Sequence, residues 1–164
     1  MHRLRPALSL VAALAAVPIG FELSGLDASL LWNPRPLLLV VALPFVFLSL
    51  SHGVTAGPRA LGLALGALER DLPPHLREEA GGVLRELGGL SCAVGAAVFG
   101  LEIVTLLVLL SSTPGQAAPM ELFAGMGAAL IAPVYGIGLK ALVHDPLATS
   151  IEPAPAELAE LLSE

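Results

Sequence analysis

The sequence predicts an all-α, polytopic membrane protein with four transmembrane helices, and three observations lead there. Of its 164 residues, 55% are hydrophobic and only 13% charged, with a mean hydropathy of +0.83, outside the range of soluble globular domains. Four apolar runs approach the roughly 20 residues that cross a ~30 Å hydrocarbon core. Between them stand short segments rich in proline, glycine and charge, which break helices and face water.

The first run, residues 7–23, follows Arg3 and Arg5. It exceeds the ~7–15 apolar residues of a secretory leader and meets no clean small-residue cleavage site, so it reads as an uncleaved first span. Ser24 to Pro36 is turn-like, with Asp27, Asn33, Pro34, Arg35 and Pro36, and Trp32 stands where an interfacial aromatic belongs. Span two covers residues 37–55, broken only by Pro44 and Ser49 before Ser51. Residues 57–89 then change character, because arginines and acids from Arg59 to Glu86 alternate in sign and Pro73 and Pro74 interrupt them. Leu61, Leu65 and Leu68, then Leu76, Val83, Leu84 and Leu87, recur at helical spacing. They predict two short amphipathic helices in water or at the interface, the second running on into span three, with the charges as a solvated face.

Span three covers residues 90–110, and the turn from Ser111 to Ala118 is short enough to lay span four antiparallel beside it. Span four, residues 120–143, belongs to an apolar run from Leu122 to Ala148 with no charge before Lys140. Gly125, Ala128, Ala129, Ala132 and Gly136 recur at three- and four-residue spacings, leaving one flank nearly bare of side chain. No hydrophobic force drives helices together in lipid, so such a flank predicts a closely packed neighbour held by van der Waals contact. That neighbour is another helix of the bundle or a separate partner. The membrane domain, residues 1–148, leaves the bilayer at Pro146, and residues 149–164 form an acidic tail that supplies much of the net charge of −6.

Basic residues set the orientation. Arg3, Arg5, the four arginines between spans two and three, and Lys140 share one side, with Arg35 alone on the other. The positive-inside rule makes both termini and the middle loop cytoplasmic. Scattered arginines form no basic face, so no nucleic-acid partner is expected. Cys92, the one cysteine, reads as a small buried hydrophobe. His52 and His144 fall at cytoplasmic span ends, and no spacing of histidines and carboxylates suits a metal. Phosphate loops and nucleophile elbows are absent, so neither a cofactor nor an enzymatic activity is expected.

Glu102 is the anomaly. A carboxylate at the centre of a span costs at least ~2.5 kcal/mol, and no lysine or arginine shares the span. It handles protons or binds a partner; otherwise it is a neutral carboxyl hydrogen-bonded to a group such as Thr105 or a serine, or it lies nearer the outer interface.

Three stretches carry a family resemblance. In span four, Ala129-Leu130, Tyr135-Gly136 and Pro146-Leu147-Ala148 follow a pattern in which a glycine precedes a Pro-Leu-Ala exit by ten positions. Ala93 to Gly100, AVGAAVFG, is similar to the small-residue segment that faces it, and LDASLLWNPRPLLLVVALP is similar to a polar turn leading into a second span. Together they resemble the MotA/TolQ/ExbB family of proton-channel subunits, most closely a minimal MotA. The resemblance implies a homo-oligomeric ring, a pentamer, in a bacterial inner membrane. Spans three and four would line its centre around a MotB/ExbD-like single-span partner whose intramembrane aspartate carries the ion. The candidate ion-path or partner-facing residues are Ala93, Ala96, Ala97, Gly100, Glu102, Gly125, Ala129, Ala132, Pro133 and Gly136, with Pro146 at the cytoplasmic exit; of these, Glu102 stands where the family is usually apolar or only mildly polar. Pro133 and Ala97 stand where the family commonly carries threonines, and residues 57–89 are far shorter than MotA's cytoplasmic insertion. The alternative is a non-conducting scaffold ring that binds a partner protein or lipid.

Overall fold

The computed structural model describes Ala15, Ile19 and Leu23, then residues 32–66, 73–112 and 119–151. The expected first span lies outside the described residues except for those three, which are helical, and so do most of the 111–118 turn and the tail beyond Ile151. Among the described residues every element is helical: α1 (Pro34–His52), α2 (Ala56–Gly66), α3 (Pro74–Ser112), α4 (Pro119–Leu139), a π-helical turn (Lys140–His144) and α5 (Asp145–Ile151). Three helical stretches are long and apolar enough to cross a membrane, Pro34–His52, Pro74–Ser112 and Gly125–Ile151, and only 17–22% of each apolar window is buried. That much uncovered apolar surface suits lipid rather than water.

α1 starts and stops three residues before the predicted second span. Pro34 begins the helix because the first helical position needs no N–H and suits a fixed φ. Gly53 ends it at φ +89°, a conformation glycine adopts without steric cost, and returns its N–H to the Ser49 carbonyl at 3.0 Å. Span three is the outer part of α3, whose 39 residues extend roughly 58 Å at ~1.5 Å per residue, well beyond a bilayer core. Its first half therefore stands clear of the hydrocarbon.

Two cores result. In the membrane half, Val40 of α1, Val94 and Val98 of α3 and Ala132 of α4 form a buried cluster, with Leu39, Leu43, Tyr135 and Leu139 around it. The other joins Ala60 and Ala64 of α2, Ala80 and Leu84 of α3, and Leu147, Ala148 and Ile151 of α5. Of the two amphipathic helices predicted before span three, the first buries Gly57, Ala60 and Ala64, the last two one position before the predicted Leu61 and Leu65, and leaves Leu65 56% exposed. The second buries Leu84 of its apolar stripe against the segment that follows span four. This changes the reading of the predicted exit, since Pro146 is the second residue of α5 and the chain stays helical to Ile151. Pro146 has no N–H to give to the preceding turn, and it stands just after the π-helical turn, where the ladder has shifted so that the Asp145 N–H bonds the Lys140 carbonyl.

Candidate functional site

The seam between α3 and α4 is built from residues without side chains to separate the backbones. A Cβ added at Gly95 would lie 2.8 Å from the Ala132 carbonyl oxygen and 3.2 Å from Pro133 Cα. One added at Gly136 would lie 2.5 Å from the Ser91 carbonyl oxygen, and one at Gly88 would lie 3.2 Å from both His144 Cβ and Lys140 Cγ. Ala129, Ala132 and Gly136 are buried in this seam, and Gly125 packs under Leu106. The bare flank of span four is therefore filled by the chain's own α3. Along the seam Ser91 Oγ donates within its own helix to the Leu87 carbonyl at 2.9 Å, while half-buried Cys92 reaches across to α4, its Sγ 3.5 Å from the Gly136 carbonyl.

The predicted site residues divide between two sides of α3. Gly125, Ala129, Ala132 and Gly136, with half-buried Pro133, belong to the closed seam. Ala93, Ala96, Ala97 and Gly100 are exposed on the other side of α3, where a Cβ at Gly100, or at Gly82 and Gly89 on the same side, would meet nothing within 4 Å. Pro146 belongs to neither group and lies half-buried in α5. Farther out along α3 the exposed side chains become large, with Leu101, Val104, Leu107 and Val108 each more than half exposed. Lipid suits that stretch; the small residues before it leave room for a backbone to approach.

Glu102 terminates the seam. It follows Gly88 and Gly95 at seven-residue spacing, about two helical turns, and so continues the same side of α3 toward its C-terminal end. There the seam opens into a cavity of about 220 Å³, bordered by Arg35 and Leu39 of α1, Val98, Leu101, Glu102, Thr105, Leu106 and Leu109 of α3, and Gly125, Ala128 and Ala129 of α4. Small residues on α4 make the space. Glu102 Oε2 is buried in it with no hydrogen-bond partner. Thr105, expected as one candidate partner, gives its hydroxyl instead to the Leu101 carbonyl at 2.8 Å. The cation missing from span three comes from another helix, because Arg35 in the first turn of α1 borders the same cavity. Sequence reading placed Arg35 in a turn and never joined it to Glu102, although both fall toward the outer side and each is the only charge of its segment of span.

Other polar groups were also under-read. Tyr135 Oη accepts the Asn33 N–H at 2.9 Å, tying the start of α1 to α4. His144 is buried rather than interfacial, only 5% exposed, with Nδ1 unpartnered. It ends the π-helical turn, beside which Lys140 Nζ pairs with Asp145 Oδ1 at 2.9 Å. Where the end of α1 meets the first half of α3, His52, His75, Glu78, Glu79 and Glu86 border a cleft of about 580 Å³, where His52 Nε2 and Glu86 Oε2 lie 2.8 Å apart. Among the described residues no group of three histidine, cysteine or acidic side chains is placed to hold a metal ion. Comparison with family models, curated proteins and solved structures finds no match to this chain.

Proposed function

We propose that the chain is a MotA/TolQ/ExbB-like subunit of an ion-motive-force-coupled channel or motor, assembled as a homopentameric ring around a single-span partner with an intramembrane aspartate, in a bacterial inner membrane with both termini cytoplasmic. The observation that carries this reading is the open small-residue face of α3. Ala93, Ala96, Ala97 and Gly100 are uncovered on a helix whose opposite side is already packed, and a face of that kind in lipid invites a second helix at close range. The order of Tyr135-Gly136 and Pro146-Leu147-Ala148 along span four supports the same reading.

In this reading α3 meets the partner or the next subunit, while α4 braces α3 from behind through the glycine seam. Pentamer formation is tested by the native mass of the detergent-purified protein. Conduction is tested in vesicles holding the chain together with a candidate single-span partner and a pH-sensitive dye. Proton uptake above that of empty vesicles, abolished by Ala97→Leu, is the expected result; uptake equal to that of empty vesicles removes the channel reading.

A non-conducting scaffold ring is the second reading, and hydroxyl placement favours it. Pro133 and Ala97 offer no hydroxyl, and the Thr105 hydroxyl is engaged with its own helix. A ring of correct mass without uptake selects the scaffold.

A further inference from the structure

The cavity at the outer end of the seam holds two opposite charges that do not meet. Glu102 Oε2 is buried and unpartnered, while Arg35 borders the same space and is exposed, with no ion pair to any described residue. A carboxylate oxygen buried without a donor is costly, and two opposite charges bordering one cavity leave it open to a ligand that carries both signs. The remaining walls, Leu39, Leu101, Leu106 and Leu109, are aliphatic and lead out to the lipid-facing surface. Their position along the bilayer normal is set by α1, whose first turn carries Arg35 and is preceded by Trp32, 73% exposed as an interfacial aromatic would be.

We propose that this cavity is a binding site for the headgroup of an amine-bearing phospholipid, with the ammonium donating to Glu102, the phosphate beside Arg35 and an acyl chain along the leucines. The assignment rests on charge complementarity. Phosphatidylethanolamine separates its ammonium and phosphate by two carbons, and its ammonium has three N–H donors for a carboxylate that lacks one. Phosphatidylcholine has the same charges and no N–H, and phosphatidylglycerol has the phosphate without the amine, so each removes one of the two contacts. A hydrogen bond between ions in a site of low dielectric is among the stronger ones. The inference does not depend on the ring reading, because the chain alone provides every residue it uses.

The test is native mass spectrometry of the full detergent-purified chain titrated with the three lipids at matched acyl chains. Phosphatidylethanolamine is expected to bind about tenfold more tightly than either of the others, a difference of about 1.4 kcal/mol. Glu102→Gln, close to isosteric, should bring phosphatidylethanolamine down to the phosphatidylcholine level and leave phosphatidylglycerol unchanged. Arg35→Gln should weaken all three. Ala128→Leu, which fills the cavity without touching either charge, should weaken all three as well and keeps the test valid if a charge variant folds poorly. Equal binding of the three lipids, a preference for phosphatidylglycerol, or an ethanolamine preference that survives Glu102→Gln overturns the proposal.

Discussion

Gly88 and Gly89 are neighbours in the chain, turned about 100° from each other around α3, and meet different surroundings. A Cβ on Gly88 would press on His144 and Lys140 at 3.2 Å, whereas one on Gly89 would meet nothing within 4 Å. The same division runs along α3: Gly88 lies under the π-helical turn and Ser91 and Gly95 under α4, while Gly89, Ala93, Ala96 and Gly100 lie open. Both sides read alike in sequence, as small residues at helical spacing, and small residues carry two meanings in a membrane. On one side they let a helix of the same chain approach until backbone meets backbone. On the other they leave a surface that neither lipid nor the chain fills closely, which is what assembly requires. The closed side supports the fold of the single chain, and the open side is free for a second helix to approach.

The largest effect should come from filling the closed side. Gly136→Leu places a branched side chain where even a Cβ would stand 2.5 Å from the Ser91 carbonyl, a backbone atom that cannot turn away. Overpacking of this kind costs about 3 kcal/mol at the upper end of what is usual, so the detergent-solubilised variant should melt well below the parent. An unchanged melting temperature would show that α3 and α4 do not pack through this seam.

The same enlargement on the open side separates folding from assembly. The double variant Ala93→Leu, Gly100→Leu adds bulk where Gly100 has free space and Ala93 is exposed, so the melting curve of the dissociated chain should stay within about 0.5 kcal/mol of the parent, as for surface changes. The fraction recovered as an oligomer by cross-linking should fall severalfold. Loss of monomer stability without loss of assembly would reverse the roles assigned to the two sides.

Tyr135→Phe probes how far the closed side depends on groups outside the seam. The hydroxyl accepts the Asn33 N–H at 2.9 Å and anchors the start of α1 to α4. Its removal should cost about 1 kcal/mol, the ordinary net value of one hydrogen bond, read as a modest drop in thermal stability with the oligomer unchanged. A loss as large as that of Gly136→Leu would move the main support of α1 from the valine cluster to this bond.

How much of this was legible beforehand follows from where the information lies. The apolar run of α3, the hairpin and the bare flank of span four are local patterns, and periodicity reveals them. Which side of α3 the flank packs on is not local, because Gly88, Gly95 and Glu102 acquire their meaning only from the residues α4 sets opposite them. The Arg35–Glu102 cavity was missed for the same reason, since its two charges are 67 positions apart in the numbering and share no helix. The core joining α2, α3 and α5 was half visible: the leucine spacing of residues 61–87 marked an apolar stripe, but Leu147, Ala148 and Ile151 looked like the residues after a span rather than the surface that covers it. His144 was read as interfacial because a histidine near a span end usually is; only the π-helical turn and the gap at Gly88 bring it inside.

The smallest effect tests the comparison most directly, because it changes one methyl group at two consecutive positions. Alanine forms helix more readily than glycine, by about 0.8–1 kcal/mol at an exposed interior site in water, since glycine loses more backbone freedom on folding. At Gly89 nothing opposes that gain, so Gly89→Ala should raise stability by up to that amount. At Gly88 the new methyl meets the His144 Cβ, which is fixed to its backbone, and the Lys140 Cγ, which can swing. Moving the α3 and α4 backbones apart by a few tenths of an ångström weakens the dispersion contacts of the whole seam, so the crowding should cancel the propensity gain or exceed it. The informative quantity is therefore the difference between the two alanine variants, measured in the same detergent, with Gly89→Ala the more stable. Equal melting temperatures would mean that residue 88 is as open as residue 89, and the division of α3 into a closed and an open side would not extend to its N-terminal half.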